Sequence, residues 1–520
     1  MKPSLAETDK CAAGAEVLPM KPKHWYIICL IVALALAGCP PDNDGPSDEP
    51  VGPTFISDFG GGTVRTMKPL NGGLWAIIYN EETAGQVWFS DGTSAGTTLV
   101  KEIPDTGMAW YFGAPCTLTV GNTVYFSVFQ PIIGKDYVDP GDNALWRSDG
   151  TADGTVAMVQ TPGGCNFMHV MDDIVYFYAS TPNSNLWRTD GTGTGTYIVE
   201  SGLYTKESFV VGDTMFFQGN GSPYRLWRTD GSHEGTYPLQ ASQANQVCAG
   251  AFFAIGDTVF FEGDDNDSHS SGLWRSDGTE DGTYFLKTIR DGMAAACDIM
   301  GRATLDDKAV FFANDGEHGR ELWATDGTAD GTTLIKDIRP GSDPWSPSDF
   351  AVLNGVAYFF ADDTVHGTQL WKTDGTAEGT GMVMDEKAAS RMSLPEKANT
   401  NFFLKVVDGQ LYTSRKLSLP TRTDFCRTDG TAEGTVALAT FEGSNLISDM
   451  WIQDGVTYFT WKDRLGRLNG DTTEWVELYD ADTGETIPAA SYRPVTIGDY
   501  TYYIAEGGLW AVNNATNSNA

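Results

Sequence analysis

Short apolar runs separated by turn residues dominate the chain between residues 54 and 512. A Gly-Asp or Gly-Asn pair precedes many of them, as in VGNTVYFS, VGDTMFFQ and IGDTVFFE, and β-branched runs such as TTLVKEI also recur. Gly and Asp interrupt helices, whereas β-branched and aromatic side chains suit an extended backbone. No long stretch carries the 3.6-residue apolar period of a helix. The pattern therefore predicts an all-β fold built from short strands.

One segment of about twelve residues recurs along the chain, and ALWRSDGTADGT (144–155) is a representative copy. The aspartates of its eight copies are separated by 58, 41, 40, 47, 49, 48 and 55 residues. A period of 40–50 residues is typical of propeller blades and of some helical solenoids, and the strand-forming composition favours blades. Each unit is predicted to hold four strands: one before the Gly-Asp turn, the VYF-type run, the Leu-Trp run and the run after Gly-Thr.

The S/T-D-G-S/T-x-x-G-T part of each copy is referred to below as the joint. Its aspartate is expected to accept hydrogen bonds from nearby backbone N–H groups, and the glycine after it to take a positive φ. The predicted turn residues are Asp91, Asp149, Asp190, Asp230, Asp277, Asp326, Asp374 and Asp429. Leu and Trp project to opposite faces of their strand, so neighbouring sheets are expected to cover both faces. The predicted packing residues are Trp88, Trp146, Trp187, Trp227, Trp274, Trp323 and Trp371, with Cys426 at this position in the eighth copy.

The two ends of the repeat region predict how a ring closes. Residues 451–480 hold four strand-like runs with a degraded joint, and residues 494–512 hold only three runs. The segment TFISDF (54–59) has the pattern of the missing fourth strand. Joining it to the last unit removes exposed sheet edges. We therefore predict a β-propeller of about ten four-stranded blades over residues 54–512, with a tail at 513–520. Two smaller rings and an open array are the alternatives.

The segment MKPKHWYIICLIVALALAGC (20–39) has the pattern of a secretory signal. Lys21 and Lys23 precede an apolar run over residues 25–37, which is shorter than the roughly 20 residues that span a membrane. We predict a signal peptide over residues 1–38, with translation starting at Met20. The Pro-rich segment 39–53 is predicted to be a flexible tether.

The end of that apolar run, Leu-Ala-Gly-Cys at 36–39, resembles the lipobox of bacterial lipoproteins. The resemblance implies cleavage before Cys39, acylation of its sulfur and attachment to a membrane. Pro40 stands where aspartate would imply retention at the inner membrane, so the outer membrane or the cell surface is expected. A buried cysteine after an apolar stretch is the alternative.

The segment ELWATDGTADGTTLIKDIRPG (321–341) resembles the bacterial repeat family known by its own signature, ELWxxDGT. The resemblance covers roughly Gln86 to Leu438 and implies propeller-like repeats, but it implies no enzymatic activity. The joint also resembles the Asp-box hairpin of sialidases and of sortilin-type propellers, from which its spacing differs. Both resemblances therefore concern architecture.

The formal net charge of −35 restricts the classes of partner. A surface this negative repels phosphate backbones and anionic lipids, so we expect no nucleic-acid partner. Cations and basic proteins remain compatible with the charge, which also favours solubility by itself.

Four cysteines of the repeat region lie at related places. Cys116 and Cys165 precede the first strands of two adjacent units, Cys248 and Cys297 do so in another adjacent pair, and each pair is separated by 49 residues. An exported protein meets an oxidising environment. We therefore predict Cys116–Cys165 and Cys248–Cys297 disulfides, although four cysteines allow three pairings and the sequence alone does not choose among them.

Catalytic and metal-binding patterns are absent from the sequence. It contains no G-x-S-x-G, H-E-x-x-H or Walker loop and no metal-type cysteine pairs. His318 and His366 lie 48 residues apart in equivalent loops, which indicates repeat identity. The acidic segment EGDDNDSHSSG (262–272) offers oxygen ligands for calcium, but it lacks the twelve-residue calcium-loop signature and a solvated hairpin tip is the alternative. No other cofactor is expected.

These observations favour a lipid-anchored, exported and non-catalytic scaffold that binds a protein or glycan through loops or a central channel. Two alternatives remain: an enzyme acting on extracellular glycans or peptides at the channel, and a calcium-stabilised adhesion or envelope protein.

Overall fold

A computed structural model gives the structure of the chain. It describes residues 54–57, 59, 63–80, 84–103, 117–128, 144–160, 165–179, 185–203, 207–219, 225–239, 250–265, 270–291, 297–341, 347–383, 402–418, 421–443, 445–453, 456–462, 464–476, 478–479, 486–487, 495–497, 500–505 and 508–513. All of them belong to one compact unit, Val51–Asn519. The predicted signal peptide, the tether with Cys39, and most of the tail lie outside the described residues.

The described residues are all-β and contain no α-helix, as predicted. Accordingly, they include no helix with the length and apolarity needed to cross a membrane. The strands form ten four-stranded sheets and one two-stranded sheet, and neighbouring strands within a sheet run antiparallel. Nine of the four-stranded sheets follow each other along the chain and are numbered 1 to 9.

The first strand, β1 (Thr54–Ser57), belongs to the tenth sheet described below. The strands of sheets 1 to 3 are β2 (Thr63–Leu70), β3 (Gly73–Asn80), β4 (Ala84–Ser90), β5 (Thr98–Ile103); β6 (Thr117–Val120), β7 (Thr123–Val128), β8 (Ala144–Ser148), β9 (Val156–Gln160); β10 (Cys165–Met171), β11 (Ile174–Ala179), β12 (Asn185–Thr189) and β13 (Tyr197–Ser201). The strands of sheets 4 to 6 are β14 (Ser208–Val211), β15 (Thr214–Gly219), β16 (Arg225–Thr229), β17 (Tyr237–Pro238); β18 (Gly250–Ile255), β19 (Thr258–Asp265), β20 (Ser270–Ser276), β21 (Tyr284–Arg290); β22 (Met300–Leu305), β23 (Lys308–Asn314), β24 (Arg320–Thr325) and β25 (Thr333–Lys336).

The strands of sheets 7 to 9 are β26 (Ala351–Leu353), β27 (Val356–Asp362), β28 (Thr368–Thr373), β29 (Gly381–Met382); β30 (Phe402–Val407), β31 (Gln410–Ser418), β32 (Thr421–Thr428), β33 (Val436–Glu442); β34 (Ile447–Gln453), β35 (Val456–Trp461), β36 (Arg464–Asn469) and β37 (Thr472–Val476). The two-stranded sheet pairs β38 (Leu478–Tyr479) with β39 (Thr486–Ile487), and the last strands are β40 (Val495–Ile497), β41 (Tyr500–Ala505) and β42 (Gly508–Asn513). In sheets 1 to 9 the spatial order of strands is their order in the chain. The predicted four-strand unit is thus confirmed.

The tenth sheet combines both ends of the described chain, and it is called the composite sheet. Its strand order is β1-β42-β41-β40. Strand β1 pairs antiparallel with β42, so that Thr54 lies opposite Ala511 and Phe55 opposite Trp510. The segment that lacked partners in the sequence therefore supplies the fourth strand of the last sheet.

Consecutive sheets pack face to face, and each interface has its own apolar cluster. Between sheets 5 and 6, Phe253 and Phe260 pack with Phe311 and Trp323. Corresponding clusters join every pair of neighbours from sheet 1 to sheet 9, and another joins the composite sheet to sheet 1. Burying both faces explains why Leu and Trp stand side by side in the third strand. The fold is a repeated, propeller-like stack of sheets.

The repeated tryptophans lie within these interfaces. Trp187 stacks on Phe177 of the neighbouring strand with ring centroids 6.0 Å apart, and Trp274 stacks on Phe261 at 6.2 Å. Trp274, Trp323 and Trp371 are buried. Their four counterparts, Trp88, Trp146, Trp187 and Trp227, are partly buried.

Candidate functional site

The joint is the most repeated polar feature of the chain, and its aspartate is bound within its own turn. In sheet 6, Asp326 Oδ1 accepts the backbone N–H of Thr328 at 2.9 Å and the hydroxyl of Thr328 at 2.7 Å. These donations, from the hydroxyl first, hold the pKa of Asp326 below its usual value. The same two bonds recur in all eight joints, at Asp91, Asp149, Asp190, Asp230, Asp277, Asp326, Asp374 and Asp429.

The other residues of the joint are held by the same local network. Thr325, before the aspartate, shares a 2.7 Å hydrogen bond with the Thr332 hydroxyl and accepts the N–H of Gly327 at 3.0 Å. The Thr328 hydroxyl accepts the N–H of Gly331 at 3.0 Å. A Cβ on Gly331 would lie 2.0 Å from Asp326 Oδ1, so only glycine fits there. The sequence showed that this glycine recurs but not why.

Each joint also contacts the sheet before it. A Cβ on Gly231, whose φ is +89°, would lie 1.9 Å from the hydroxyl of Tyr176 in sheet 3. Burial is the main cause that raises the pKa of that tyrosine. Arg228, directly after the Trp of sheet 4, donates through Nη1 to the carbonyl of Gly278 in the next joint at 3.1 Å. The repeated residues thus connect consecutive sheets.

Two histidines occupy equivalent turns of neighbouring sheets. His318 Nδ1 lies 2.7 Å from Asp315 Oδ2, and His366 Nδ1 lies 2.6 Å from Asp363 Oδ2. The Asp315 carboxylate raises the pKa of His318. Each aspartate also accepts two backbone N–H groups of its turn. The pairs therefore have a structural role in each turn.

A third histidine links the first strands of two neighbouring sheets. His169 Nε2 in β10 lies 2.6 Å from Ser208 Oγ in β14, and burial lowers the pKa of the imidazole. Lys405 stands at the corresponding place of sheet 8, opposite Tyr412 as His169 is opposite Tyr176. Its ammonium group donates to the carbonyl of Met450 in β34, the first strand of sheet 9, at 2.7 Å. His169 and Lys405 therefore occupy the same position and each forms a hydrogen bond to the neighbouring sheet.

One cysteine of each predicted disulfide, Cys116 and Cys248, lies outside the described residues. Cys165 is buried, and Cys297 is fully buried with its Sγ 3.5 Å from Glu262 Oε1. The pKa of the Cys297 thiol is raised, mainly because the thiol is buried. Both disulfides remain predictions.

The acidic segment 262–272 does not present all its carboxylates to one ligand. Glu262 turns inward and accepts the N–H groups of Asp298 at 2.8 Å and Ile299 at 3.2 Å. Burial is the main cause that raises its pKa. Residues 266–269 lie outside the described residues. In the part of the chain that the structure describes, no three His, Cys, Asp or Glu side chains are grouped to hold a metal ion.

Comparisons with known proteins give distant structural similarity only. No family model and no curated relative matches the chain. The computationally designed protein Ika8 aligns with a TM-score of 0.34 and 11% identity, over 67% of this chain and 96% of its own. Puromycin hydrolase aligns with a TM-score of 0.31 and 13% identity, over 66% of this chain and 58% of its own. A prolyl endopeptidase aligns with a TM-score of 0.33 and 11% identity, over 70% of this chain and 55% of its own.

Proposed function

We propose that this chain is an exported, lipid-anchored scaffold of the cell envelope that binds a protein or glycan without catalysing a reaction. The proposal rests on the hydrogen bonds that the repeated polar residues form within their own turns. Each joint aspartate accepts two hydrogen bonds from its own turn, as Asp326 does from Thr328. The most frequently repeated polar side chains of the chain therefore stabilise its turns.

Differences between sheets supply the surface for recognition. Five residues separate the second and third strands of sheet 4, between Gly219 and Arg225, whereas fifteen separate them in sheet 2, between Val128 and Ala144. Connections that vary on a rigid scaffold are where proteins place binding residues. This variation supports a scaffold whose partner contacts only some of its sheets.

The scaffold is further proposed to close into one ring of ten blades. The cluster between the composite sheet and sheet 1, which includes Tyr502, Leu509, Leu74 and Ile78, supports closure from one side. Closure also requires sheet 9 to pack on the composite sheet. A cysteine pair engineered between β34 and β40 is expected to cross-link within one chain, and failure of every such pair would favour an open array.

The membrane anchor is tested by fractionation of cells that express the full chain. Cys39→Ser is expected to abolish both incorporation of labelled palmitate and sedimentation with membranes. Cys29→Ser is the matched control, because Cys29 lies within the apolar run of the predicted signal. Equal labelling of parent and Cys39→Ser would overturn the anchor.

A further inference from the structure

Three tyrosines occupy the same place in three consecutive sheets. Tyr197, Tyr237 and Tyr284 each begin the fourth strand of sheets 3, 4 and 5, which is called the outer strand because it lies at an edge of its sheet. Each lies directly opposite the arginine that follows the Trp. The guanidinium carbon lies over the tyrosine ring at 5.2 Å for Arg188–Tyr197, 5.6 Å for Arg228–Tyr237 and 5.3 Å for Arg275–Tyr284.

Two of the three rings remain accessible at the edge of their sheets, and the third packs on the apolar cluster between sheets 4 and 5. Tyr197 is 44% exposed and Tyr284 is 42% exposed, whereas Tyr237 is partly buried. The guanidinium covers one face of each ring, and in sheet 4 that guanidinium is itself fixed by its bond to the next joint, from Arg228 to Gly278 O. Tyr197 and Tyr284 are thus exposed aromatic rings, each supported on one face by an arginine.

Other sheets show that the arginine does not need the ring. In sheet 2, Arg147 follows the Trp and lies opposite Val156. In sheet 8, Arg427 lies opposite Val436. Valine also suits an outer strand and exposes less apolar surface. The position therefore accepts valine as well as tyrosine, and the tyrosines occur there in three neighbouring sheets.

We infer that Tyr197, Tyr237 and Tyr284, the tyrosine strip, bind a neutral polysaccharide. The inference rests on the proposed scaffold function and names its ligand class. A sugar ring has an apolar C–H face and a hydroxyl edge, and an exposed tyrosine is likewise an apolar plane with a polar tip. Two exposed rings with a partly buried ring between them, at one repeat position of three successive sheets, suit a ligand that is itself a repeat.

Polar groups next to Tyr197 suit a ligand that carries hydroxyl groups better than an apolar protein surface. In the sheet 4 joint, His233 lies beside the outer strand of sheet 3, with Nδ1 3.0 Å from Val199 O and 3.0 Å from Glu200 Oε2. The imidazole of this joint thus stands next to the strand that carries Tyr197, beside the Glu200 carboxylate of that strand. The net charge of −35 disfavours an anionic polymer, because like charges repel.

The test measures the mobility of the full chain, solubilised from membranes in detergent, in native gels containing amylose, laminarin, galactomannan or hydroxyethyl cellulose. Alginate is the anionic comparison. At least one neutral polymer is expected to retard the parent protein, and alginate is not. Each single Tyr→Val change is expected to weaken binding about 3- to 10-fold, and the triple Tyr→Val variant about 100-fold or more, since linked weak contacts multiply.

Two variants separate recognition from folding. The triple Tyr→Val variant reproduces sheets 2 and 8 and is expected to unfold as cooperatively as the parent. The triple Tyr→Phe variant keeps the aromatic planes and is expected to keep most of the binding. Val156→Ala with Val436→Ala is the matched control and is expected to bind as the parent does.

Failure of the tyrosine strip and failure of the scaffold function give different results. No retardation by any neutral polymer, or full binding by a folded triple Tyr→Val variant, overturns the strip, while the anchored scaffold stands on its fractionation test. Release of reducing ends from the bound polymer by the parent overturns the non-catalytic function and leaves the strip intact.

Discussion

Sheets 6 and 9 connect their third and fourth strands in different ways. In sheet 6 the joint from Thr325 to Thr332 makes the connection, and the whole third strand, Arg320–Thr325, is buried. In sheet 9 only two residues separate the strands, between Asn469 and Thr472, with Gly470 at φ +60°. Both sheets reverse the chain, so reversal alone does not require a joint.

The contact with the preceding sheet explains what the longer joint adds. Before sheet 6, Phe260 of sheet 5 packs within 3.1 Å of the place where Gly327 would carry a Cβ. Before sheet 9, Arg427 of sheet 8 instead forms an ion pair with Asp471 of the short turn, at 2.5 Å. The joint of sheet 6 is therefore held by its own hydrogen bonds and packs against the preceding sheet. The short turn of sheet 9 instead contacts the preceding sheet through an ion pair.

The largest effect is expected from the packed interface itself. Trp274→Ala in sheet 5 removes a ring that is fully buried and stacked on Phe261, which is expected to lower the free energy of unfolding by about 3–5 kcal/mol. Urea denaturation followed by tryptophan fluorescence and circular dichroism measures this change. Trp475→Ala in sheet 9, where the ring is only partly buried, is the comparison and should cost less. An equal cost would show that the deeper burial of the Trp274 ring does not set its contribution to stability.

The next effect concerns glycine in the joint. Gly331→Ala is expected to cost about 1–3 kcal/mol because the new methyl group overlaps the Asp326 carboxylate. Asp326→Ala alone is expected to cost about 1 kcal/mol. The double variant should be no less stable than Asp326→Ala, because removing the carboxylate makes room for the methyl group. Strictly additive losses in denaturation midpoints would show that another contact excludes the side chain.

The charge pair of sheet 9 should give a smaller and salt-dependent effect. Arg427 and Asp471 have side chains that are 29% and 54% exposed, so Arg427→Ala is expected to cost at most about 1 kcal/mol. The loss of melting temperature should shrink at high salt, because ions screen exposed pairs. Lys287→Ala, which removes a bond from an exposed ammonium group to the neutral carbonyl of Ala329, is the control and should depend less on salt.

The smallest effect is that of protonating one joint aspartate. Hydrogen bonds from Thr328 lower the pKa of Asp326 from its ordinary value of 3.8. Its contribution to stability is therefore complete above that value and is lost as the pH falls through the lower folded-state pKa. Asp326→Asn should flatten the dependence of stability on pH below about pH 4. Asp330→Asn in the same turn is the control, and an equal flattening by both would contradict this role of Asp326.

Local chemistry accounts for what could be predicted from the sequence. The all-β class, the four-strand unit and the strand that completes the last sheet follow from the order of apolar runs and turns. The joint could be anticipated because its donors and acceptors all lie within eight residues, from Thr325 to Thr332. Interactions of such short range leave the same pattern in every copy.

Other features depend on residues that are distant in sequence. In sheet 5 the register shifts between Leu273 and Trp274, which turns Leu286 of the outer strand into the core. Arg228 meets Gly278 fifty residues later, and Glu262 turns inward toward Asp298 and Ile299. The sequence fragment around Glu262 resembled a solvated acidic loop, because nothing nearby shows which backbone groups will need an acceptor.

The sequence by itself determined the repeating strand unit and its turn, since their hydrogen bonds close within a few residues. Only the tertiary structure decided which side chains link one sheet to the next. It also decided where the outer strand bulges and which aromatic rings stay at the edge, as Tyr197 and Tyr284 do. These outcomes depend on the neighbouring sheet, whose residues lie some forty to fifty positions away and leave no signature in a local stretch of chain.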